Sequence, residues 1–312
     1  MSARGWLFAC FVGFAGGAWF SRAADVPRWE RPPERQAAIR MFNAWKPPVP
    51  ARTLLGNIHY VGTSGIAAYL ITTPAGHILI DTGFDDTVPH VLASIEQLGF
   101  RPRDIKFLLS SHAHVDHVGG HARVKALTGA TVVASAADAR IMTSGGEDDF
   151  SPFPKDLMRY TPLQADRIVA SGDRITLGHV TLTAHLTPGH TAGATTWTTR
   201  LEQAGRSYDV AFLSSLSIVQ GTPLLHSLGH PGIRSDYKTS FRALSALPCD
   251  VFFGFHVSQA SLDTLMEKLR LLTTGTDPNP FHDPQSGWKA QLAGAERAFR
   301  EQLAAEQRAA RP

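Results

Sequence analysis

The sequence predicts an α/β chain folded as an αββα sandwich, two mixed β-sheets packed face to face with helices outside. Three observations carry that expectation. Two successive halves of the chain each run through short β-type segments and then helical ones. No linker composition, repeat or low-complexity tract separates them. Histidine-bearing loops follow directly on apolar runs of strand length, so their polar groups gather at strand ends.

Arg4 precedes an apolar stretch from Trp6 to Phe20 that has signal-peptide length and is too short for a comfortable membrane span. Ser21-Arg22-Ala23 offers small residues where a signal peptidase reads, so residues 1–23 are expected to be removed on export. Residues 24–50 are rich in Pro, Arg and Trp and read as an N-terminal extension with a short helix over Glu34–Trp45. From residue 51 to 312 one catalytic domain is expected. It opens with β-type runs at Ile58–Gly62, Ile66–Thr73 and His77–Asp81, separated by turn signals as in an antiparallel meander.

Val88–Leu98 has helical apolar spacing that Gly99 ends, and Ile105–Leu109 reads as a buried strand. A helix over Ala122–Leu127, a strand over Thr131–Ala134 and a helix over Ala136–Met142 follow. Thr143–Pro154 reads as a loop at the mouth of a site. The second half offers strands at Arg167–Val169, Asp173–Leu177, His179–Leu186, Ala194–Arg200, Tyr208–Leu213 and Val251–Phe255. Gly221–Tyr237 reads as irregular, and helices are expected over Lys238–Leu247, 258–272 and Ala290–Arg308.

With 14 histidines and a formal charge of only +3 in 312 residues, the surplus of imidazole needs explaining more than the charge does. No dense Lys/Arg block is present, which argues against a nucleic-acid partner. The signal segment holds Cys10, so the mature chain keeps Cys249 alone. It can form no internal disulfide, and a thiolate-built zinc site is excluded.

The densest chemistry is Ser110-Ser111-His112-Ala113-His114-Val115-Asp116-His117-Val118-Gly119-Gly120, directly after the strand ending at Leu109. Imidazole nitrogen and carboxylate oxygen are zinc ligands, and a catalytic zinc keeps one position open for water. On this loop His112 and His114 can turn to one point, and Asp116 and His117 to another. His190, after Pro188-Gly189, and His256, after Phe255, sit at two further strand ends. His59, His77, His179 and His185 lie within strands and read as packing or surface residues. His121 reads as a neighbour of the site or a solvated residue, while His226, His230 and His282 fall in Pro/Gly-rich loops that could line a cleft.

This pattern resembles the metallo-β-lactamase superfamily. Asp81-Thr82-Gly83, Thr143-Ser144-Gly145-Gly146, Thr187–Gly193, Thr195–Thr198 and Asn279–Pro284 are similar to motifs of the subclass B3 enzymes. The resemblance runs from about Arg52 to the C-terminus. It implies two zinc ions per chain, the first held by His112, His114 and His190, the second by Asp116, His117 and His256. Asp116 and His190 then count among the catalytic residues. Asp81 would orient a ligand histidine, as metal-bound imidazoles require. Ser215 stands where other subclasses place a cysteine ligand, and Ser215 and Ser217 become the candidates to bind a substrate carboxylate. Many relatives carry Asp just before that serine; here it is Ser214.

Paired divalent ions lower the pKa of bound water, so the resemblance implies hydrolysis of the lactam amide of penicillins, cephalosporins and carbapenems by a zinc-bound hydroxide, giving antibiotic resistance. The second zinc beside Asp116 would serve the expelled nitrogen. No Ser-x-x-Lys pattern with its partner motifs supports a serine nucleophile instead. The alternative is another hydrolase of the same fold, a lactonase or a glyoxalase II-like thioesterase. Those enzymes place a bridging aspartate at the end of this strand, whereas residues 210–220 contain no Asp or Glu. The expected partner is a small β-lactam substrate, with no nucleic acid and no stable membrane association once the signal is removed. The expected location is the periplasm. Sequence leaves the oligomeric state open.

Overall fold

The computed structural model describes residues 32–203, 205–256, 267 and 286–311. The signal segment, the motif at 279–284 with its His282, and nearly all of the helix expected over 258–272 lie outside the described residues.

The elements run α1 (Pro32–Trp45), β1 (Arg52–Leu55), β2 (Ile58–Tyr60), β3 (Tyr69–Thr73), β4 (Gly76–Ile80), α2 (Val88–Gln97), β5 (Ile105–Leu109), α3 (Val115–Val118), α4 (His121–Thr128), β6 (Thr131–Ser135), α5 (Ala136–Thr143), α6 (Lys155–Met158), β7 (Arg167–Val169), β8 (Arg174–Leu177), β9 (Val180–Leu186), β10 (Thr195–Gln203), β11 (Arg206–Leu213), α7 (Ile233–Ser245), β12 (Val251–Gly254) and α8 (Ser286–Ala309). One sheet has seven strands in the order β1 to β7, the other five in the order β12-β11-β10-β9-β8. Strands β1 to β4 form the expected antiparallel meander, and β4 to β7 pair in parallel. The second sheet is antiparallel except for the parallel pair β11–β12. Both sheets are therefore mixed.

Period-two alternation places the core. Tyr69 and Ile71 of β3 face the second sheet and meet Trp197, Phe212 and Phe253, whereas Leu70 of the same strand joins Leu79, Leu108 and Val132 under α2, α4 and α5. On the far side, Ala211 and Leu213 of β11 pack beneath Tyr237 and Phe241 of α7 and Trp288 and Phe299 of α8. Layers of helix, sheet, sheet and helix result, which bury both faces of each sheet.

Four elements differ from expectation. Helix α7 starts at Ile233, five residues before Lys238, because the irregular segment ends at Pro231-Gly232. Residues 115–118 form one helical turn rather than open loop. Strand β1 and the short helix α6 carry too few residues for a legible period.

Helix α1, expected in an extension outside the catalytic domain, packs onto that domain. Phe42 lies against Phe84 and Phe153, with ring centroids 5.5 and 5.9 Å away. Arg35 pairs with Asp156 and Lys46 with Asp86. No helix among the described residues is long and apolar enough to cross a membrane.

Candidate metal centre

Strands β4, β5, β9, β11 and β12 all end at one edge of the sandwich, and the loops leaving them build the site. The two sheets are cross-linked there: Thr195 N–H and the Ser214 hydroxyl donate to the Ser111 carbonyl at 2.7 and 2.9 Å, and the Trp197 indole donates to the Ser110 carbonyl at 2.9 Å. The first residues of the histidine loop are thus gripped by the opposite sheet.

All six side chains singled out by sequence converge and are buried. His112, His114 and His190 bring nitrogen atoms within 4.8 Å of one another, and so do His112, His117 and His256; either group could hold a metal ion. Asp116 joins the second group, its Oδ2 3.3 Å from His117 Nε2 and 3.5 Å from His256 Nε2. His114 stands at the N-terminal cap position of the helical turn α3, and Asp116 and His117 lie within it.

Hydrogen bonds fix which nitrogen faces inward in four of the five rings, while His256 Nδ1 is buried with no partner among the described residues. Asp81, at the end of β4 and held at φ 59°, accepts from Ser111 N–H at 2.7 Å, from the Ser111 hydroxyl at 2.6 Å and from His117 Nδ1 at 2.8 Å. His117 therefore presents Nε2. The Ser111 hydroxyl proton is committed to Asp81, so its oxygen accepts from His112 Nδ1 at 3.1 Å and leaves Nε2 of that ring inward. His190 Nδ1 donates to the Ser217 carbonyl at 2.7 Å. His114 is oriented the other way, donating from Nε2 to Asp149 Oδ2 at 3.1 Å and keeping Nδ1 for the centre.

This arrangement fits a divalent cation. The inward Nε2 atoms of His112 and His190 are buried and have no hydrogen-bond partner among the described residues. Such orphaned acceptors are costly unless something electropositive meets them. Without a cation the centre shows the same demand. Burial and the neighbouring imidazoles hold His112 and His190 well below the ordinary histidine range, and burial takes His256 down to about 3. Burial also opposes charge on His117, yet Asp116 and Asp81 raise it to about 10. Burial resists ionisation of Asp116, but His117 and His256 hold its carboxyl far below the usual range.

Sequence reasoning missed two groups. Asp149, on the loop between α5 and α6, orients His114. Tyr237 of α7 donates to the Ser217 carbonyl at 2.8 Å, and a Cβ on Gly189 (φ +143°) would come within 2.8 Å of its ring, so it seats the His190 turn. The Gly189-His190 turn and the phase of α7 were the only available signals, and expecting the helix to begin at Lys238 hid the second.

The two serines part company. Ser217 is exposed and lines the cleft; Ser215 is buried beneath it, with Oγ 3.0 Å from Ser217 Oγ. Ser214 turns inward to the Ser111 carbonyl, and Asp209, in the body of β11, accepts no place in the centre. Of the remaining histidines, His59 and His77 are buried against Phe100, His185 meets Thr198, and His121 is buried with Nδ1 2.9 Å from Thr82 Oγ1. His230 stacks on Phe150 instead of lining the cleft.

A cavity of about 220 Å³ opens over the centre. Its walls are Met41, Phe42 and Trp45 of α1, Phe153 and Met158 around α6, and Ser217 to Gln220; His114, Asp116, His190 and His256 form its floor. The Trp45 ring meets His256 edge-on at 5.0 Å. None of the described lining residues is lysine or arginine.

The model of the metallo-β-lactamase superfamily matches residues 61–256, the span that carries all six converging side chains. The chain belongs to the metallo-β-lactamase superfamily. Among solved structures it is similar to the native FEZ-1 metallo-β-lactamase from Legionella gormanii, at 38% identity over 84% of this chain and 98% of that one, with a TM-score of 0.80. It is also similar to BJP-1, a subclass B3 metallo-β-lactamase of Bradyrhizobium japonicum, at 34% identity over 86% and 98% of the two chains, TM-score 0.78. Curated relatives carry other names. A hydroxyacylglutathione hydrolase of Rhodospirillum rubrum is 33% identical over 33% of this chain and 31% of its own length. The N-acyl homoserine lactonase AttM of Azorhizobium caulinodans is 26% identical over 70% and 81%. The chain spans between about a third and three-fifths of the length of the first curated relatives it matches.

Proposed function

We propose that this metallo-β-lactamase-fold hydrolase is a zinc β-lactamase that opens the lactam amide of penicillins, cephalosporins and carbapenems. The observation that carries the reading is the end of β11. Ser214 and Ser215 occupy it, both buried, with no acidic group to bridge two metal positions. The two-sheet likeness to FEZ-1 and BJP-1 over nearly their whole length supports the same choice.

In this reading His112, His114 and His190 hold one zinc, and Asp116, His117 and His256 the other. Zinc bound there supplies Lewis acidity and lowers the pKa of water toward neutrality. Asp81, Ser111, Asp149 and the Ser217 carbonyl hold the imidazoles in the required tautomers, so little reorganisation accompanies reaction. Asp116, an ionised carboxylate at the floor of the cleft, would accept the proton that the attacking water gives up and hand it to the expelled nitrogen. Ser217 offers a neutral hydroxyl to the substrate carboxylate, with Ser215 supporting it from below. The apolar wall of Phe42, Trp45 and Phe153 excludes water from one side of the scissile bond.

Purified protein offered a penicillin, a carbapenem, an acyl-homoserine lactone and a glutathione thioester tests the reading. Lactam turnover that chelator abolishes and zinc restores is expected. Turnover of lactone or thioester with both lactams untouched overturns it in favour of the activities named for the curated relatives. We also propose export to the periplasm, where the chain confers resistance; fractionation of expressing cells and their growth on penicillin check this.

A further inference from the structure

Three of the inward-facing histidines take their orienting partner from a rigid element. His117 leans on Asp81 at the end of β4, and His112 on Ser111 at the end of β5. His190 leans on a Ser217 carbonyl that Tyr237 of α7 also holds. His114 is the exception, because Asp149 lies on the loop between α5 and α6, outside any strand pairing. A carboxylate on a loop positions an imidazole only as well as the loop is held.

Two sets of contacts hold it. On its own side, Asp149 N–H donates to the Gly146 carbonyl at 3.4 Å, and the Lys155 ammonium donates to the Asp149 carbonyl. From across the cleft edge, the neighbouring Phe150 ring is covered by His230, with centroids 4.9 Å apart and planes 14° from parallel. His230 Nε2 is in turn fixed at 2.5 Å by Asp236 Oδ2 of α7. Closeness is built into the second loop: a Cβ on Gly229 would come within 2.9 Å of Phe150 Cβ. Asp149 Oδ1 is buried with no partner among the described residues, so the His114 bond anchors this carboxylate.

We propose that Asp149 is the positioning residue for His114, and that the His230–Asp236 pair stacked on Phe150 is the clasp that keeps it in place. The zinc affinity of the first cluster then depends on a contact between two loops, while the second cluster is indifferent to it. This rests on the reading that the clusters hold divalent metal.

Zinc titration of the full chain against a chromophoric chelator, with no substrate present, tests it. Asp149→Ala is expected to weaken one of the two sites roughly 10–100-fold, the usual effect of losing an orienting partner, and to leave the other unchanged. Asp149→Asn, whose amide oxygen still accepts from Nε2, is expected to lose much less. His230→Ala should weaken the same site several-fold, and should add nothing in the Asp149→Ala background, since it acts through that carboxylate. With cobalt in place of zinc, the same variants should alter the visible absorption of one site only. Wild-type affinity at both sites in Asp149→Ala overturns the proposal, as does an additive double variant. So does a drop in metal-free thermal stability without any change in zinc affinity, which is the signature of a packing role alone. A wild-type chain that takes up no zinc removes the metal reading itself, and the proposal with it.

Discussion

The two clusters sit side by side, share His112 as a neighbour, and are built on opposite plans. The second draws Asp116, His117 and the Asp81 that accepts from His117 out of segments stitched together by backbone pairing: Asp81 N–H donates to the Leu109 carbonyl and Thr82 N–H to the His117 carbonyl, both at 2.9 Å. Two carboxylates stand beside His117, Asp81 at 2.8 Å from Nδ1 and Asp116 at 3.3 Å from Nε2. The first is made of three imidazoles, and the carboxylate that orients one of them, Asp149, belongs to a loop. Local pairing fixes the carboxylates of one cluster, whereas a loop carboxylate orients one imidazole of the other. Both clusters reach the cleft, His114 and His190 from the first and Asp116 and His256 from the second.

The largest break in that comparison is removal of a ligand from either cluster. His114→Ala and His117→Ala should each cut kcat/KM by more than the ~100-fold that marks the upper range for an orienting partner, and metal analysis should show one zinc fewer per chain. Next comes Asp81→Ala, expected to weaken the second cluster roughly 10–100-fold in chelator competition. It strands Ser111 N–H and His117 Nδ1 as well, so urea denaturation should show a stability loss of about 1–3 kcal/mol, which Asp149→Ala should not match. A smaller effect separates the serines: Ser217→Ala should raise KM about 10-fold, the value of one hydrogen bond to a charged group, while Ser215→Ala should do less because its hydroxyl reaches substrate only through Ser217. Smallest is Ser214→Ala. The Ser111 carbonyl keeps Thr195 N–H, so only about 1 kcal/mol of stability should go, with kcat unchanged.

The same contrast explains what was legible in the sequence. Ligands that follow strands were readable because the apolar runs Ile105–Leu109 and Val251–Gly254 and the alternating strand Val180–Leu186 end in histidine loops. Asp81 was readable for the same reason. Asp149 was not, because the stretch from Thr143 to Pro154 has turn composition and no period, and it holds two adjacent aspartates that nothing local distinguishes. Asp148 points out to solvent and Asp149 inward, a choice made by Phe150 and His230 from a segment some eighty residues away, as their positions in the chain show. The wall formed by α1 was hidden likewise: Trp45 reads as the end of a short helix, and only packing against Gly65 and His256 brings it over the centre. Ser215 and Ser217 look equivalent in sequence, and the turn after β11 alone sends one down and one out.

Calorimetric titration of metal-free protein with zinc tests the central claim most directly, that two adjacent clusters each hold one ion. Two equivalents per chain are predicted, with one lost in His114→Ala and the other in His117→Ala. A single equivalent in the wild type, abolished by either substitution, would contradict it.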